Sequence, residues 1–146
     1  MTVHHDKLDM PVHRKKGRHI FVNSMSDLFH PKVPSDFIRS VFEVIADTPQ
    51  HSYTILTKRS ARMAALAGGL PWPQHLEVGV SIGLPQFVFR ADQLRRVPAA
   101  IRFINAEPLL GPLELDLTGI DYVRAAGETE PGFRPCKPEW ARLLRD

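Results

Sequence analysis

A chain of 146 residues is long enough for one domain with a hydrophobic core, and too short for a complete (β/α)8 barrel of about 250 residues. Its 43% apolar and 24% charged residues exclude general disorder. A single cysteine, Cys136, excludes an intrachain disulfide and any Cys-rich zinc or iron–sulfur site built from this chain alone, and points to a reducing compartment.

Residues 1–18 form a basic N-terminal lead-in. Around His4, His5, Asp6 and Lys7 there is no signal-peptide apolar core, and no run in the chain approaches the ~20 apolar residues that span a bilayer. A cytoplasmic protein with no membrane partner is expected. The net charge of +3 permits contact with nucleic acid without requiring it. Arg14, Lys15, Lys16 and Arg18 are therefore read two ways, as a solvated approach to the first strand or as a phosphate-contacting patch.

Residues 19–146 read as one domain of alternating strands and helices. His19–Asn23 is a β-branched and aromatic run giving way to Ser-Met-Ser-Asp, so a strand and a polar loop are expected. Pro34, Ser35 and Asp36 open a segment in which Phe37, Ile38, Val41, Phe42 and Ile45 recur at helical spacing, ending before Pro49. The alternation continues with a strand over Tyr53–Thr57, a helix over Ser60–Ala67 closed by Gly68 and Gly69, and a strand over Leu76–Ile82. Asp92–Val97 reads as a short helix, Ile101–Asn105 and Ile120–Ala125 as strands, and Glu139–Arg145 as a final helix after Pro138. Strand starts every 20 to 30 residues or so predict an α/β fold, a partial (β/α) barrel of five mainly parallel strands with right-handed crossovers.

Parallel α/β folds bind ligands at the carboxyl ends of their strands. Those ends supply Asn23, Ser24, Asp27, Thr57, Lys58, Arg59, Ser81, Asn105, Glu107 and Glu128. Two carboxylates, Glu107 and Glu128, near the cations Lys58 and Arg59 suit a polar or anionic ligand; a structural ion-pair network is the equal alternative. The loop Gly127–Gly132 carries two acidic side chains and lacks a Lys-Ser/Thr pair, which argues against phosphate cradling. No histidine pair has metal-ligand spacing, and Cys136 reads as a packed thiol.

Four strings in order, Phe-Val-Asn-Ser-Met-Ser-Asp-Leu-Phe-His (21–30), Ile-Leu-Thr-Lys-Arg (55–59), Ala-Glu-Pro-Leu-Leu-Gly-Pro-Leu (106–113) and Ala-Gly-Glu-Thr-Glu-Pro-Gly-Phe-Arg-Pro (126–135), resemble the phage-encoded three-Cys-motif family, whose members are radical-SAM-like. The resemblance runs from about Leu8 to Arg145. It implies a radical-SAM-like barrel in which Asn23, Ser24, Asp27, Thr57, Lys58, Arg59, Glu107, Glu128 and Arg134 occupy recurring strand-end positions. Its departures bear on activity. The family's Cys-rich motif, which would ligate an iron–sulfur cluster, lies upstream of the segment matching Leu8, and its apolar C-terminal segment has no counterpart before Asp146. Neither an iron–sulfur cluster nor S-adenosylmethionine is therefore expected in this chain unless a Cys-bearing partner supplies the ligands.

Three functions follow as expectations. The first is an interaction protein, not catalytic alone, that binds a host or phage protein or a second copy of itself, because a half-barrel leaves sheet edges uncovered. The second is one part of a split radical-SAM-like enzyme acting on a nucleic acid or small molecule. The third is nucleic-acid binding through residues 13–19 together with Lys58, Arg59, Arg95 and Arg96.

Overall fold

A computed structural model describes residues 2–146. The expected alternation is present: β1 (His19–Val22), α1 (Ser35–Asp47), β2 (Ser52–Thr57), α2 (Ser60–Leu66), β3 (Leu76–Ser81), α3 (Phe89–Arg95), β4 (Ile101–Ala106), β5 (Tyr122–Ala125) and α4 (Pro138–Arg145). The five strands form one sheet in the order β1-β2-β3-β4-β5, and every adjacent pair is parallel. The fold is α/β with the arrangement of a partial (β/α) barrel.

Element limits differ from the sequence reading where local hydrogen bonding intervenes. β1 stops at Val22 because Asn23 turns into the left-handed region at φ 56°, a conformation asparagine tolerates better than most residues. The third helix begins at Phe89 rather than Asp92, led in by a 3-10 turn over Pro85–Phe87. β5 begins at Tyr122 because Ile120 is held in a turn by a bond from its N–H to the Leu117 carbonyl.

Strand order and crossover handedness together place the helices. Right-handed connections between successive neighbours all fall on one side of a parallel sheet. On that side Ile38, Phe42 and Ile45, spaced i, i+4 and i+7 on α1, are buried with Tyr53, Ile55, Val78, Val80 and Ile104. Full burial of each such side chain stabilises by about 1.5–3 kcal/mol. The register aligns Thr57, Val80, Ile104 and Val123 in one row across four strands.

Polar side chains tie the loops to this core. Thr48 Oγ1 donates to the Val44 carbonyl at 2.6 Å and shares a 2.6 Å bond with the buried Tyr53 hydroxyl, while His75 bonds the Ile45 carbonyl at 2.7 Å. Arg62 on α2 donates to the carbonyls of His30 and Val33, fixing the loop that follows β1. His51, 2% exposed, holds the lead-in: its Nδ1 accepts from Arg18 N–H at 3.1 Å, so the ring proton sits on Nε2, which donates to the Pro11 carbonyl at 2.9 Å.

Candidate functional site on the open face of the sheet

Side chains alternate across a strand, so the residues between the core positions point away from the helices. Register places them in three rows: Phe21–Thr54–Glu77–Ile101, then Leu56–Gly79–Phe103–Tyr122, then Ser81–Asn105–Arg124. Phe103 is fully buried yet lies outside the core cluster under the helices. It stacks on Tyr122, with ring centroids 5.1 Å apart and planes 4° from parallel, and Arg124 lies over both rings at 5.0 and 5.3 Å. Position 79 is glycine for a steric reason, since a Cβ there would sit 2.4 Å from the Phe103 ring.

Beneath this stack Glu77 collects donors. The Tyr122 hydroxyl donates to Oε2 at 2.6 Å, Arg124 reaches Oε1 at 3.4 Å, and the Thr54 hydroxyl donates to Oε1. Thr54 Oγ1 is also 2.9 Å from His19 Nε2, whose Nδ1 is 2.9 Å from Ser52 Oγ, so the chain of contacts crosses four strands, β1, β2, β3 and β5. Burial, followed by the hydrogen bond and charge of Glu77, pushes the Tyr122 hydroxyl up to about 12. The sequence reading missed Glu77, Tyr122 and Arg124. One signal was available, a carboxylate inside the otherwise apolar string Leu76-Glu77-Val78.

At the carboxyl ends the strand-end residues fall into separate groups. Asp27 is a structural hub: Oδ1 accepts from Thr57 Oγ1 at 2.7 Å and Phe29 N–H at 3.0 Å, and Oδ2 accepts from Lys58 N–H at 3.0 Å. Thr57 Oγ1 in turn accepts from Arg59 N–H at 2.8 Å. The Lys58 and Arg59 side chains are exposed. Arg90, which the sequence reading also passed over, donates to the Ser81 carbonyl at 2.7 Å and lies 4.2 Å over the Phe87 ring. Burial, then the like charge of Arg59, presses its guanidinium below the ordinary value, and Asp27 pulls it back. Ser81 and Asn105 are half-buried beside Arg124.

Glu128 pairs with Arg134 rather than with Lys58 or Arg59. The Arg134 N–H donates to Oε2 at 2.7 Å and Nε to Oε1 at 3.0 Å, holding the Glu128 carboxyl down at about 2 and raising the guanidinium. Glu107, Glu128 and Arg134 line one cavity of about 620 Å³. Asn23 and Ser24 face a different one, of about 870 Å³, beside β1. Arg14, Lys15, Lys16 and Arg18 are exposed along the lead-in.

No group of three or more His, Cys, Asp or Glu side chains among the described residues is arranged to hold a metal ion. Cys136, the sole cysteine, is half-buried against Gly127, where a Cβ would lie 2.9 Å from its own. These residues do not fit an iron–sulfur cluster, which needs several thiolates. No helix among the described residues is long and apolar enough to cross a membrane.

Fold and open face together define an α/β protein of parallel βα units with a polar, aromatic-floored surface opposite its helices. The chain belongs to the family of proteins of unknown function DUF5131, whose model matches residues 1–146. No curated protein and no solved structure matches the chain.

Proposed function

We propose that this chain is an interaction module, not catalytic alone, whose open sheet joins a second polypeptide or a second copy of itself. The observation that carries the reading is apolar surface on the helix-free face, where Phe21 on β1 and Ile101 on β4 are 39% and 38% exposed. Exposed apolar side chains on one sheet face are normally covered in a working assembly. Light scattering over a concentration series, with binding of an apolar dye, tests it. Self-association or dye binding that Phe21→Asp and Ile101→Asp reduce is expected; a monomer that binds no dye at any concentration overturns it.

A second reading rests on Ser81 and Asn105, half-buried beside Arg124 at the carboxyl ends, where parallel sheets take ligands. With the resemblance to three-Cys-motif proteins, it makes the chain one part of a split radical-SAM-like enzyme whose thiolates come from another polypeptide. A thermal upshift with S-adenosylmethionine, lost in Asn105→Ala, supports it. Nucleic-acid binding through Arg14, Lys15, Lys16 and Arg18 is the third reading, and predicts affinity that falls steeply with salt.

A further inference from the structure

Two arginines that form no ion pair among the described residues meet at the carboxyl ends of β2 and β3. Both strands are paired on either side, β2 with β1 and β3, and β3 with β2 and β4, so this region is flanked by the chain's own strands. Three contacts bring the arginines together. Register pairs Thr57 with Val80, so Lys58 and Ser81, one position further on, are neighbours. Arg90 Nη1 donates to the Ser81 carbonyl at 2.7 Å, which sets its guanidinium at that point. Ser60 Oγ donates to Gln93 Oε1 at 2.6 Å, which draws the start of α2, with Arg59 just before it, against α3 one turn beyond Arg90.

The pair is short of acceptors. Arg62 and Arg95, half-buried like Arg90, are each well supplied: Arg62 by the carbonyls of Phe29, His30 and Val33, and Arg95 by Asp92 and the carbonyls of Asp116 and Thr118. Arg90 has the Ser81 carbonyl alone, and the Arg59 guanidinium has no acceptor among the described residues. Neither forms an ion pair among them, in contrast to Arg95, Arg124 and Arg134. Asp27 is the carboxylate whose charge reaches Arg90, and its oxygens are already met by Thr57 Oγ1, Phe29 N–H and Lys58 N–H. Burial, then the like charge of Arg59, opposes the charge on Arg90, and a bound anion would offset both. The Phe87 ring, 4.2 Å from the guanidinium carbon, supports one face of Arg90, so its fork is positioned in advance.

We propose that Arg59 and Arg90 grip the phosphate group of a phosphomonoester, with Lys58, exposed beside them, as a third positive group. Planar guanidiniums match phosphate oxygens in pairs. Charge selects the monoester: three cations less the Asp27 carboxylate leave a surplus that a group of about two negative charges neutralises, as a diester or a carboxylate does not. The inference goes beyond the interaction reading and does not depend on it, since no second polypeptide is needed.

Isothermal titration calorimetry of the 146-residue chain with phenyl phosphate tests it, beside methyl phenyl phosphate, acetate and inorganic phosphate. Phenyl phosphate is expected to bind, with the diester and acetate weaker by about tenfold or more, and Arg59→Gln and Arg90→Gln are each expected to weaken it about tenfold. Arg59 is exposed and its guanidinium has no protein acceptor to lose, so Arg59→Gln keeps the fold. Arg90→Lys, which keeps the charge and loses the fork, should recover only part of the binding. Lys15→Gln/Lys16→Gln, on the lead-in, should change nothing. Absence of saturable binding by phenyl phosphate overturns the proposal, as does equal binding of the diester. An equal loss in Lys15→Gln/Lys16→Gln would mean diffuse attraction to a basic chain and overturns it too. So does tighter binding of inorganic phosphate than of phenyl phosphate, which would make the free ion the ligand.

Discussion

The two faces of the sheet bury side chains by different means. Under the helices, Val80 and Ile104 lie in one buried apolar cluster with Ile38, Phe42, Ile45 and Met63, Val123 packs against that cluster, and stability follows apolar area. On the other face one aromatic ring, Phe103, is sealed by Tyr122 and Arg124, and the layer below it is a hydrogen-bonded chain centred on Glu77. A one-sided helical cover thus does not leave the second face merely wet. Cross-strand contacts close part of it, and the closed part sits toward the amino ends of the strands, leaving Ser81, Asn105 and the rim cations at the carboxyl ends.

Substitutions can break this contrast. Phe42→Ala, in the helical core, is expected to cost about 3–5 kcal/mol in urea unfolding, and Phe103→Ala less, roughly 2–3, because its cover is a stack and not a helix layer. Equal losses would mean that the open face is a second core. Gly79→Ala forces the Phe103 ring to move and should cost about 1–3 kcal/mol, with no comparable loss in a Gly79→Ala/Phe103→Leu double variant. Glu77→Ala leaves Thr54, Tyr122 and Arg124 short of an acceptor and is expected to cost about 1–3 kcal/mol, measured the same way.

Titrations sharpen it further. The chain has two tyrosines, Tyr53 and Tyr122, and burial raises both above 10.0. With the folded value raised, the stability linked to Tyr122 is fully present below 10.0 and is lost as pH climbs through about 12. Near-ultraviolet absorbance should accordingly show less tyrosinate at pH 10 than two free tyrosines give, and Tyr122→Phe should remove the part of the titration near pH 12. Glu128 has the opposite sign: with its folded value lowered from 4.5 to about 2, its contribution is present above 4.5 and lost as pH falls through 2. This surface pair, with Arg134 exposed and Glu128 half-buried, should give the smallest effect, read as a slightly shallower acid limb in Glu128→Gln.

Much of the helix-covered face was legible from spacing alone. Phe37 to Ile45 recur at helical intervals, and the runs at Tyr53, Leu76 and Ile101 carry the β-branched and aromatic composition of buried strands. The open face was not legible, for a physical reason. Its residues alternate with core residues in the same short strings, so Glu77 within Leu-Glu-Val and Arg124 beside Val123 read as isolated charges until register aligns three strands. Asp27 and Thr57 were found as strand-end residues, but their mutual bond spans 30 positions and no local pattern announces it. Glu128 was found with the wrong neighbours, because loop geometry alone brings Arg134 back onto it.

The unbroken strand order has a consequence for how the chain is made. Each strand pairs only with those immediately before and after it in sequence, so no pairing waits for a distant part of the polypeptide. Loop closure is short at every step and its entropy nearly uniform along the chain. A growing polypeptide leaving the ribosome can therefore lay down β2 on β1 before β4 exists. Throughout synthesis it always exposes one fresh edge, that of its newest strand.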